Sequence, residues 1–336
     1  MILAGDIGGT TTRLAIFSVL ADKLVPRVKK SFPSKDYSSL EAVLREFRAQ
    51  AADPISAASF GVAGPVIDGT SKTPNLPWFL DAREIARCLD LDSVALINDL
   101  EATGYGVATL DAGEFLTLSA GKVHPQATKA LIAAGTGLGE SILYWDGSGY
   151  CPLASEGGHA DFAPRTALEI ELLSYLIARF EHVSYERVIS GPGIFNIYNF
   201  LKDSGRCREP GWLRERLESG DQGAVISEAA LAKEAEICVQ ALDLFVSAYG
   251  AEAGNLALRG KALGGIYVGG GIAPKILTKL TDGEFMRAFA AKGRYAELLA
   301  RAPVHIILND EAALRGAAAY GAEIMGRGGS RTAPTS

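Results

Sequence analysis

The sequence has few cysteines and no arrangement of them that suggests a disulfide framework or a zinc site. Only four occur in 336 residues, far apart and without a Cys-x-x-Cys pair: Cys88, Cys151, Cys207 and Cys238. Scattered cysteines fit buried thiols in a reducing compartment better than structural disulfides. We therefore expect a cytoplasmic protein.

Excess positive charge and long apolar runs are also absent. The sequence contains 33 Lys and Arg against 39 Asp and Glu, for a net charge of −6, and no basic run stands out. This argues against a nucleic-acid-binding surface. No apolar stretch approaches the roughly 20 residues that span a bilayer. The N-terminus lacks the basic-then-apolar order of a signal peptide, so we expect neither a nucleic-acid nor a membrane partner.

Glycine is abundant, and two glycine-rich turns are the most informative feature. The first is Gly-Asp-Ile-Gly-Gly-Thr at 5–10, and the second is Gly-Thr-Gly-Leu-Gly at 135–139. Each lies between two apolar segments, which predicts strand–turn–strand. Glycine lets a ligand approach the backbone closely, and successive N–H groups bind anions. Two such turns in separate halves predict a duplicated α/β unit that holds one phosphate ligand from both sides.

Hydrophobic periodicity predicts alternating strands and helices, which is typical of an α/β fold. The predicted strands include 59–63, 94–97, 265–268 and 304–307. The predicted helices cover 37–50, 81–89, 167–180, 192–201, 223–249 and 311–324. The tail 326–336 is rich in Gly, Ser, Arg, Thr and Pro, and we expect it to be disordered.

Asn98 and Asp99 follow a predicted buried strand. The carboxyl ends of strands are where α/β sheets place their ligands. The alternative is that one of the two side chains caps the helix that begins near Leu100. The sequence leaves both interpretations open.

Three further segments also have a structural and a functional interpretation. In Glu156-Gly157-Gly158-His159, two glycines force a tight turn, so Glu156 and His159 either enter one cavity or lie on a surface loop. A metal site is disfavoured because carboxylates with one His are a poor zinc set. Glu186 is by itself typical of an exposed ion pair. The glycines at 269–271 form either a plain strand-to-helix turn or a close approach to a flat ring or a phosphate.

In combination, these segments resemble the bacterial glucokinase family of the hexokinase and actin-like ATPase superfamily. The resemblance runs in order from Met1 to about Tyr320 and includes Arg13, Gly-Val-Ala-Gly-Pro-Val at 61–66, Asn98-Asp99, Glu-Gly-Gly-His-Ala-Asp-Phe-Ala-Pro at 156–164, Glu-Arg-Val-Ile-Ser-Gly-Pro-Gly at 186–193 and Gly-Gly-Gly-Ile-Ala-Pro at 269–274. The cysteine-rich zinc loop of the related repressor and kinase group is absent, which places the chain in the zinc-free branch.

The resemblance implies an α/β actin-like ATPase (ribonuclease H-like) duplicated fold, with two domains around a cleft that holds the substrates. The expected small α/β domain comprises 1–109 plus 300–325, and the expected large domain comprises 110–299. Homodimers are usual in the family, so a homodimer is expected.

The resemblance also implies site residues. The ATP phosphates are held by Gly5, Asp6, Ile7, Gly8, Gly9, Thr10, Gly135, Thr136 and Gly137. Adenosine lies against Gly269, Gly270 and Gly271. The sugar hydroxyls are bound by Asn98, Asp99, Glu156, His159 and Glu186, and Asp99 is also the catalytic base. Mg²⁺ accompanies ATP and keeps several waters, and Asp6 is the carboxylate expected to reach it through water.

The implied activity is transfer of the γ-phosphoryl group of ATP to the 6-hydroxyl of glucose. The products are ADP and glucose 6-phosphate, which enters glycolysis. Two alternatives remain at this stage: a kinase for another hexose, and a non-catalytic sugar-sensing regulator on the same fold.

Overall fold

The computed structural model describes residues 1–20, 23–51, 53–73 and 76–326. The chain divides into two compact units. The first comprises Met1–Ala112, Ser148–Ala154 and the described part of Asn309–Ser336; the second comprises Gly113–Gly147 and Ser155–Leu308. Of the tail 326–336, which we expect to be disordered, Gly326 is helical and 327–336 lies outside the described residues. Across the described ranges, no helix is both long enough and apolar enough to cross a membrane.

Strands and helices alternate along the chain, as the periodicity predicts. The strands are β1 (Ile2–Ile7), β2 (Thr11–Leu20), β3 (Lys23–Pro33), β4 (Ala57–Val62), β5 (Thr70–Lys72), β6 (Phe79–Asp81), β7 (Ala95–Asn98), β8 (Phe115–Ser119), β9 (Lys129–Ala134), β10 (Leu138–Trp145), β11 (Tyr150–Leu153), β12 (Gly265–Gly269) and β13 (Val304–Ile307). The helices are α1 (Leu40–Gln50), α2 (Ala82–Leu89), α3 (Asp99–Val107), α4 (Ala167–Ile177), α5 (Gly191–Asp203), α6 (Gly211–Ser219), α7 (Gln222–Leu231), α8 (Glu236–Gly260), α9 (Leu277–Leu280), α10 (Glu284–Ala290), α11 (Ala296–Leu299) and α12 (Ala312–Gly326).

The first unit is built on a mixed sheet with strand order β3-β2-β1-β4-β7. The hairpin β1–β2 is antiparallel, whereas β4 and β7 run parallel to β1. Side chains alternate across a strand, so β1 sends Leu3 and Ile7 into a core shared with α1 and α2. Its Ala4 packs on the other face against Leu314 and Ala318 of α12. Helices therefore cover both faces of the sheet.

Glycines allow α3 and α12 to cross in direct backbone contact. A Cβ on Gly316 would lie 1.7 Å from the carbonyl oxygen of Ala102, and one on Gly106 would lie 2.0 Å from that of Ala312. No side chain fits at such distances, so glycine is required at both positions. This crossing fixes α3, the helix that begins at Asp99.

The second unit repeats the pattern of the first. Its strands are hydrogen-bonded in the order β10-β9-β12-β13-β8. The hairpin β9–β10 is antiparallel, and β12 and β13 run parallel to β9. The long helix α8 supplies much of the core of this unit. An antiparallel hairpin followed by two parallel strands thus occurs in both units, which confirms the predicted duplicated α/β fold.

Some elements differ from the sequence prediction. The predicted helix 223–249 is two helices, α7 and α8, because the chain turns at Lys233, whose φ is +56°. The predicted pattern did not include β3, a largely exposed strand. The unit bounds also differ from the expected domain bounds. Strand β13 pairs with β12, so 300–308 belongs to the second unit, and 148–154 belongs to the first.

Candidate active site

The first glycine turn joins β1 to β2, as predicted. The amide of Gly8 donates to the carbonyl oxygen of Thr11 at 3.0 Å and closes the turn. Ser34 holds it from outside: its hydroxyl donates to the Gly8 carbonyl at 2.8 Å, and its amide donates to that of Thr10 at 2.9 Å. A Cβ on Gly8 would lie 3.0 Å from the Thr11 oxygen, so a larger residue would press on the turn.

A small group of charged residues lies beside this turn. Asp6 faces Arg13 across the β1–β2 ladder, with Nη1 of Arg13 3.7 Å from Oδ2 of Asp6. Arg13 also donates to the carbonyl oxygen and to Oδ2 of Asp310, at 2.7 and 2.8 Å. Burial raises the pKa of Asp6 to about 6, Arg13 opposes this effect, and the nearby carboxylates Asp99 and Asp310 add to it. Asp6 and Asp310 share Arg13, and Asp99 adds negative charge near Asp6, so this region favours an additional cation.

Asn98 caps α3, as the helix-capping interpretation predicts. Its Oδ1 accepts from the amide of Leu100 at 2.8 Å, and the carboxylate of Glu101 accepts from the amide of Asn98 at 3.0 Å, which completes a capping box. Its Nδ2 donates to the carbonyl oxygen of Gly64 at 3.0 Å. Asp99 is the first residue of the helix, and its Oδ1 also lies 2.9 Å from the Leu100 amide. Because Asn98 already accepts from that amide, the cap does not depend on a carboxylate at position 99.

The second glycine turn joins β9 to β10, and the segment containing Glu186 lies directly on it. The amide of Gly135 donates to the carbonyl oxygen of Gly137 at 2.8 Å. Oε2 of Glu186 accepts from the amide of Leu138 at 3.0 Å. The amide of Gly191 donates to the carbonyl oxygen of Gly135 at 2.9 Å. A predicted sugar-binding carboxylate and a predicted phosphate-binding turn are therefore in contact.

The Glu156–His159 segment packs directly against strand β10, and this close contact explains its two glycines. A Cβ on Gly158 would lie 2.0 Å from the carbonyl oxygen of Leu138, and one on Gly157 would lie 2.5 Å from Oε2 of Glu140. The side chains of Glu156 and His159 point outward, 72% and 58% exposed, with Oε2 and Nε2 4.0 Å apart. The backbone therefore lies close to β10 while both polar side chains remain available to a ligand.

Backbone hydrogen bonds join this segment to the one containing Glu186. The amide of Tyr185 donates to the carbonyl oxygen of Ala160 at 2.9 Å, and that of Phe162 donates to Val183 at 2.9 Å. The rings of Tyr185 and Phe162 pack edge to face. The structure thus brings two segments far apart in sequence to the same end of β10.

The third glycine turn, at 269–271, follows β12 and packs against the end of β9. Gly270 has φ +83°, and a Cβ there would lie 2.2 Å from the carbonyl oxygen of Ala134. The amide of Ile272 donates to the same oxygen at 3.2 Å. The buried hydroxyl of Tyr249 accepts from the amide of Ala134 at 3.2 Å and lies 3.3 Å from the Gly269 oxygen. The second and third turns are therefore fixed to each other.

Sequence reasoning missed Asp310, although a signal for it exists. Asn309-Asp310 follows β13 and precedes α12, as Asn98-Asp99 follows β7 and precedes α3. Oδ1 of Asn309 accepts from the amide of Glu311 at 2.7 Å, which repeats the cap at Asn98. Comparison of the two halves would have revealed the repeat. Ser34 and Glu140, in contrast, belong to no motif.

The duplicated α/β units, each with a glycine turn in its hairpin, have the actin-like ATPase fold, and the solved structures that share this fold are sugar kinases. A glucokinase from an Antarctic psychrotroph has the same fold, with a TM-score of 0.85 and 31% identity over 96% of this chain and 98% of that one. The fold also resembles that of a ROK family glucokinase from Streptomyces griseus, solved with glucose and AMPPNP, with a TM-score of 0.62 and 21% identity over 96% and 99% of the two chains.

The family follows from the sequence comparisons. A family model described as Glucokinase matches residues 3–324. The glucokinase of Nostoc sp. strain PCC 7120 is 43% identical over 96% of this chain and 99% of its own length. The chain belongs to the glucokinase family, which confirms the resemblance and the expected ATP-dependent glucose kinase activity.

Proposed function

We propose that this chain transfers the γ-phosphoryl group of ATP to the 6-hydroxyl of glucose. The observation that carries the residue-level proposal is the contact between Glu186 and the second glycine turn. Because Glu186 accepts from the amide that follows this turn, the same backbone segment holds both the sugar-binding carboxylate and the phosphate-binding amides. Phosphoryl transfer depends mainly on positioning and charge stabilisation.

The three glycine turns hold the nucleotide. In the turn at 8–10, the amides of Gly9 and Thr10 and the Thr10 hydroxyl supply donors for phosphate oxygens. The turn at 135–137 supplies a second set, and a Cβ on Gly135 would have no neighbour within 4 Å, which leaves space for a ligand. Gly271 is similarly open, so the turn at 269–271 accommodates adenosine. The donors are fixed before the ligand arrives, so little reorganisation is needed.

Glucose is held through its hydroxyls by Glu156, His159 and Glu186, together with Asn98 and Asp99. Carboxylates accept hydrogen bonds from hydroxyl groups, and an acceptor left unpaired by a wrong epimer costs about 1–3 kcal/mol. Asp99 accepts the proton of the 6-hydroxyl as the oxygen attacks phosphorus. General-base catalysis of this kind contributes roughly 10²- to 10⁴-fold.

The residues beside the first turn fit a hydrated Mg²⁺ bound to ATP. The described residues contain no group of three or more His, Cys, Asp or Glu side chains that could hold a metal ion alone. Mg²⁺ commonly keeps several waters and takes its other ligands from phosphate and one or two carboxylates. Asp6, whose pKa is raised by burial and by neighbouring carboxylates, is the residue that would reach it through water. The ion would neutralise charge on the transferred phosphoryl group.

From the family resemblance we also propose that the chain functions in the cytoplasm as a homodimer, with its two units as the small and large domains. Sedimentation at assay concentrations tests the oligomeric state. The alternative substrate, another hexose, is tested together with the main proposal. The non-catalytic alternative predicts sugar binding without ADP release.

The decisive experiment is a coupled ADP-release assay with glucose, mannose, fructose and N-acetylglucosamine, and with ATP or polyphosphate as donor. We expect glucose and ATP to give the highest kcat/KM. Asp99→Asn should lower turnover by about 10²-fold or more and leave the thermal melt unchanged, because Asn caps helices as well as Asp.

The matched control is Asp81→Asn, the same substitution at the N-cap of α2 in the same unit. This variant should retain wild-type turnover. Near-wild-type turnover in Asp99→Asn would reject Asp99 as the base. Absence of ADP release with every sugar would reject the kinase function.

A further inference from the structure

Glu140 is a buried carboxyl group beneath the turn that is proposed to bind glucose. It lies on β10, and its side chain is 1% exposed. Its Oε2 would lie 2.5 Å from a Cβ on Gly157, so the carboxyl group is in direct contact with the turn containing Glu156 and His159. The nucleotide and sugar assignments above give Glu140 no role.

A second buried carboxyl group, that of Glu252, lies next to Glu140. Glu252 is on α8 and is 0% exposed. Arg259 contacts both, with Nη1 2.6 Å from Oε1 of Glu252 and 3.6 Å from Oε2 of Glu140. Nδ2 of Asn255 donates to Oε2 of Glu252 at 2.7 Å. Glu252 thus has two close partners, whereas Glu140 has the weaker contact with the arginine.

The surroundings of Glu140 favour a protonated carboxyl. Within the described ranges, its Oε1 has no hydrogen-bond partner. Burial, and then the negative charge of Glu252, raise the pKa of Glu140 well above its usual range, and Arg259 only partly opposes them. Two buried carboxylates beside one shared arginine hold one proton between them more readily than two negative charges.

The same cluster reaches the segment containing Glu186. Nδ2 of Asn255 lies 2.9 Å from the hydroxyl of Tyr185, the residue directly before Glu186. The titratable and charged groups around Glu140 either face it or lie on elements packed against it. They are Glu252, Arg259 and Tyr249 of α8, Tyr185, Lys292, and Glu156 and His159 of the turn. Both segments that bind the sugar in the proposed function therefore rest on this cluster.

We propose that Glu140 is a positioning residue for sugar binding: its protonated carboxyl, paired with Glu252, supports the turn at Gly157, and its ionisation at alkaline pH weakens glucose binding. This inference rests on the proposed function. An ionised Glu140 places a second buried negative charge beside Glu252, which favours separation of the two groups or entry of water. Because Gly157 touches the Glu140 carboxyl, such a movement displaces Glu156 and His159.

The test compares KM for glucose and KM for ATP from about pH 6 to about pH 9.5 in the wild type and in Glu140→Gln. Gln is a neutral isostere of the protonated side chain. In the wild type, KM for glucose should rise at alkaline pH by roughly fivefold, the effect of one disrupted hydrogen-bonding contact, while KM for ATP stays level. In Glu140→Gln, KM for glucose should be close to the neutral-pH wild-type value and should not rise.

Glu169→Gln is the matched control. Glu169 is also buried, at 1% exposure, but its partner is Arg165, not the carboxyl pair. This variant should keep the alkaline rise in KM for glucose. A similar rise in Glu140→Gln would overturn the proposal and implicate Lys292, whose pKa burial lowers to about 8.

A stability measurement gives an independent readout. A carboxyl with a raised pKa in the folded state binds more protons folded than unfolded, so stability falls as pH rises past the unfolded pKa. The melting temperature of Glu140→Gln relative to the wild type should therefore increase with pH. A constant difference would contradict the proposal. If the variant does not fold, the wild type decides: a KM for glucose that is level across the range refutes the inference, whereas absence of glucose phosphorylation at every pH refutes the proposed function.

Discussion

Gly137 offers the most direct test of the link between the second turn and Glu186. A Cβ at position 137 would lie 2.5 Å from Oε2 and 3.3 Å from Cδ of Glu186. Neither Gly135 nor Gly137 has a positive φ, so alanine is compatible with the backbone at both positions. Gly137→Ala should therefore displace the Glu186 carboxylate without unfolding the turn.

The magnitude follows from the hydrogen bond to a glucose hydroxyl that the displaced Glu186 carboxylate no longer makes. In the wild type, the amide of Leu138, 3.0 Å away, holds that carboxylate in place. A hydrogen bond to a charged group contributes about 1.5–3 kcal/mol. Because about 1.4 kcal/mol corresponds to a tenfold change in affinity, KM for glucose should rise by roughly 10- to 100-fold. The clash involves the end of a flexible side chain, so the melting temperature should change by only a few degrees.

Gly135→Ala is the matched control in the same turn, because its Cβ would have no neighbour within 4 Å. Initial rates are measured with glucose varied at saturating ATP, and then with ATP varied at saturating glucose. A change in KM for ATP is compatible with the prediction in both variants, because both glycines lie in the turn proposed to bind phosphate. Only Gly137→Ala should raise KM for glucose strongly. If KM for glucose is the same in both variants, Glu186 is not placed for sugar binding by this contact.

Three further outcomes are expected. Asn98→Ala should lower the free energy of unfolding by about 1 kcal/mol in urea titrations, because the α3 cap is lost; an unchanged midpoint would contradict the cap. Gly316→Val should prevent folding or lower the melting temperature greatly, because its Cβ would overlap the Ala102 carbonyl at 1.7 Å; a wild-type melt would mean that α3 and α12 separate at little cost. Burial raises the pKa of Asp6 from 3.8 to about 6, so the folded state binds the extra proton and stability falls as pH rises through this window. In Asp6→Asn, this decrease in stability with rising pH should be absent. Thermal melts of both proteins from about pH 4 to about pH 7 measure it, and the same decrease in the variant would contradict the raised pKa.

The sequence predicted well where the signal is local. Both glycine hairpins were predicted and are present, because a turn between two apolar strands depends mainly on neighbouring residues. The prediction of a single helix over 223–249 was wrong. Apolar residues continue across the break at Lys233, so the sequence pattern does not reveal that α7 ends and α8 begins there. Strand β3 was missed because its pairing with β2 is not evident from the pattern of its largely exposed residues.

The sequence alone determined the α/β class, the duplicated turns and the residue types available for chemistry, because turn geometry, periodicity and motif spacing are encoded over short stretches. Only the tertiary structure decided which of these residues meet. Glu186 reaches the amide of Leu138 across 48 positions, and Arg13 reaches Asp310 across 297. Such contacts depend on strand order and helix packing, which no local segment specifies. The same is true of Glu140, whose significance arises from the close packing of Gly157 and α8 around it.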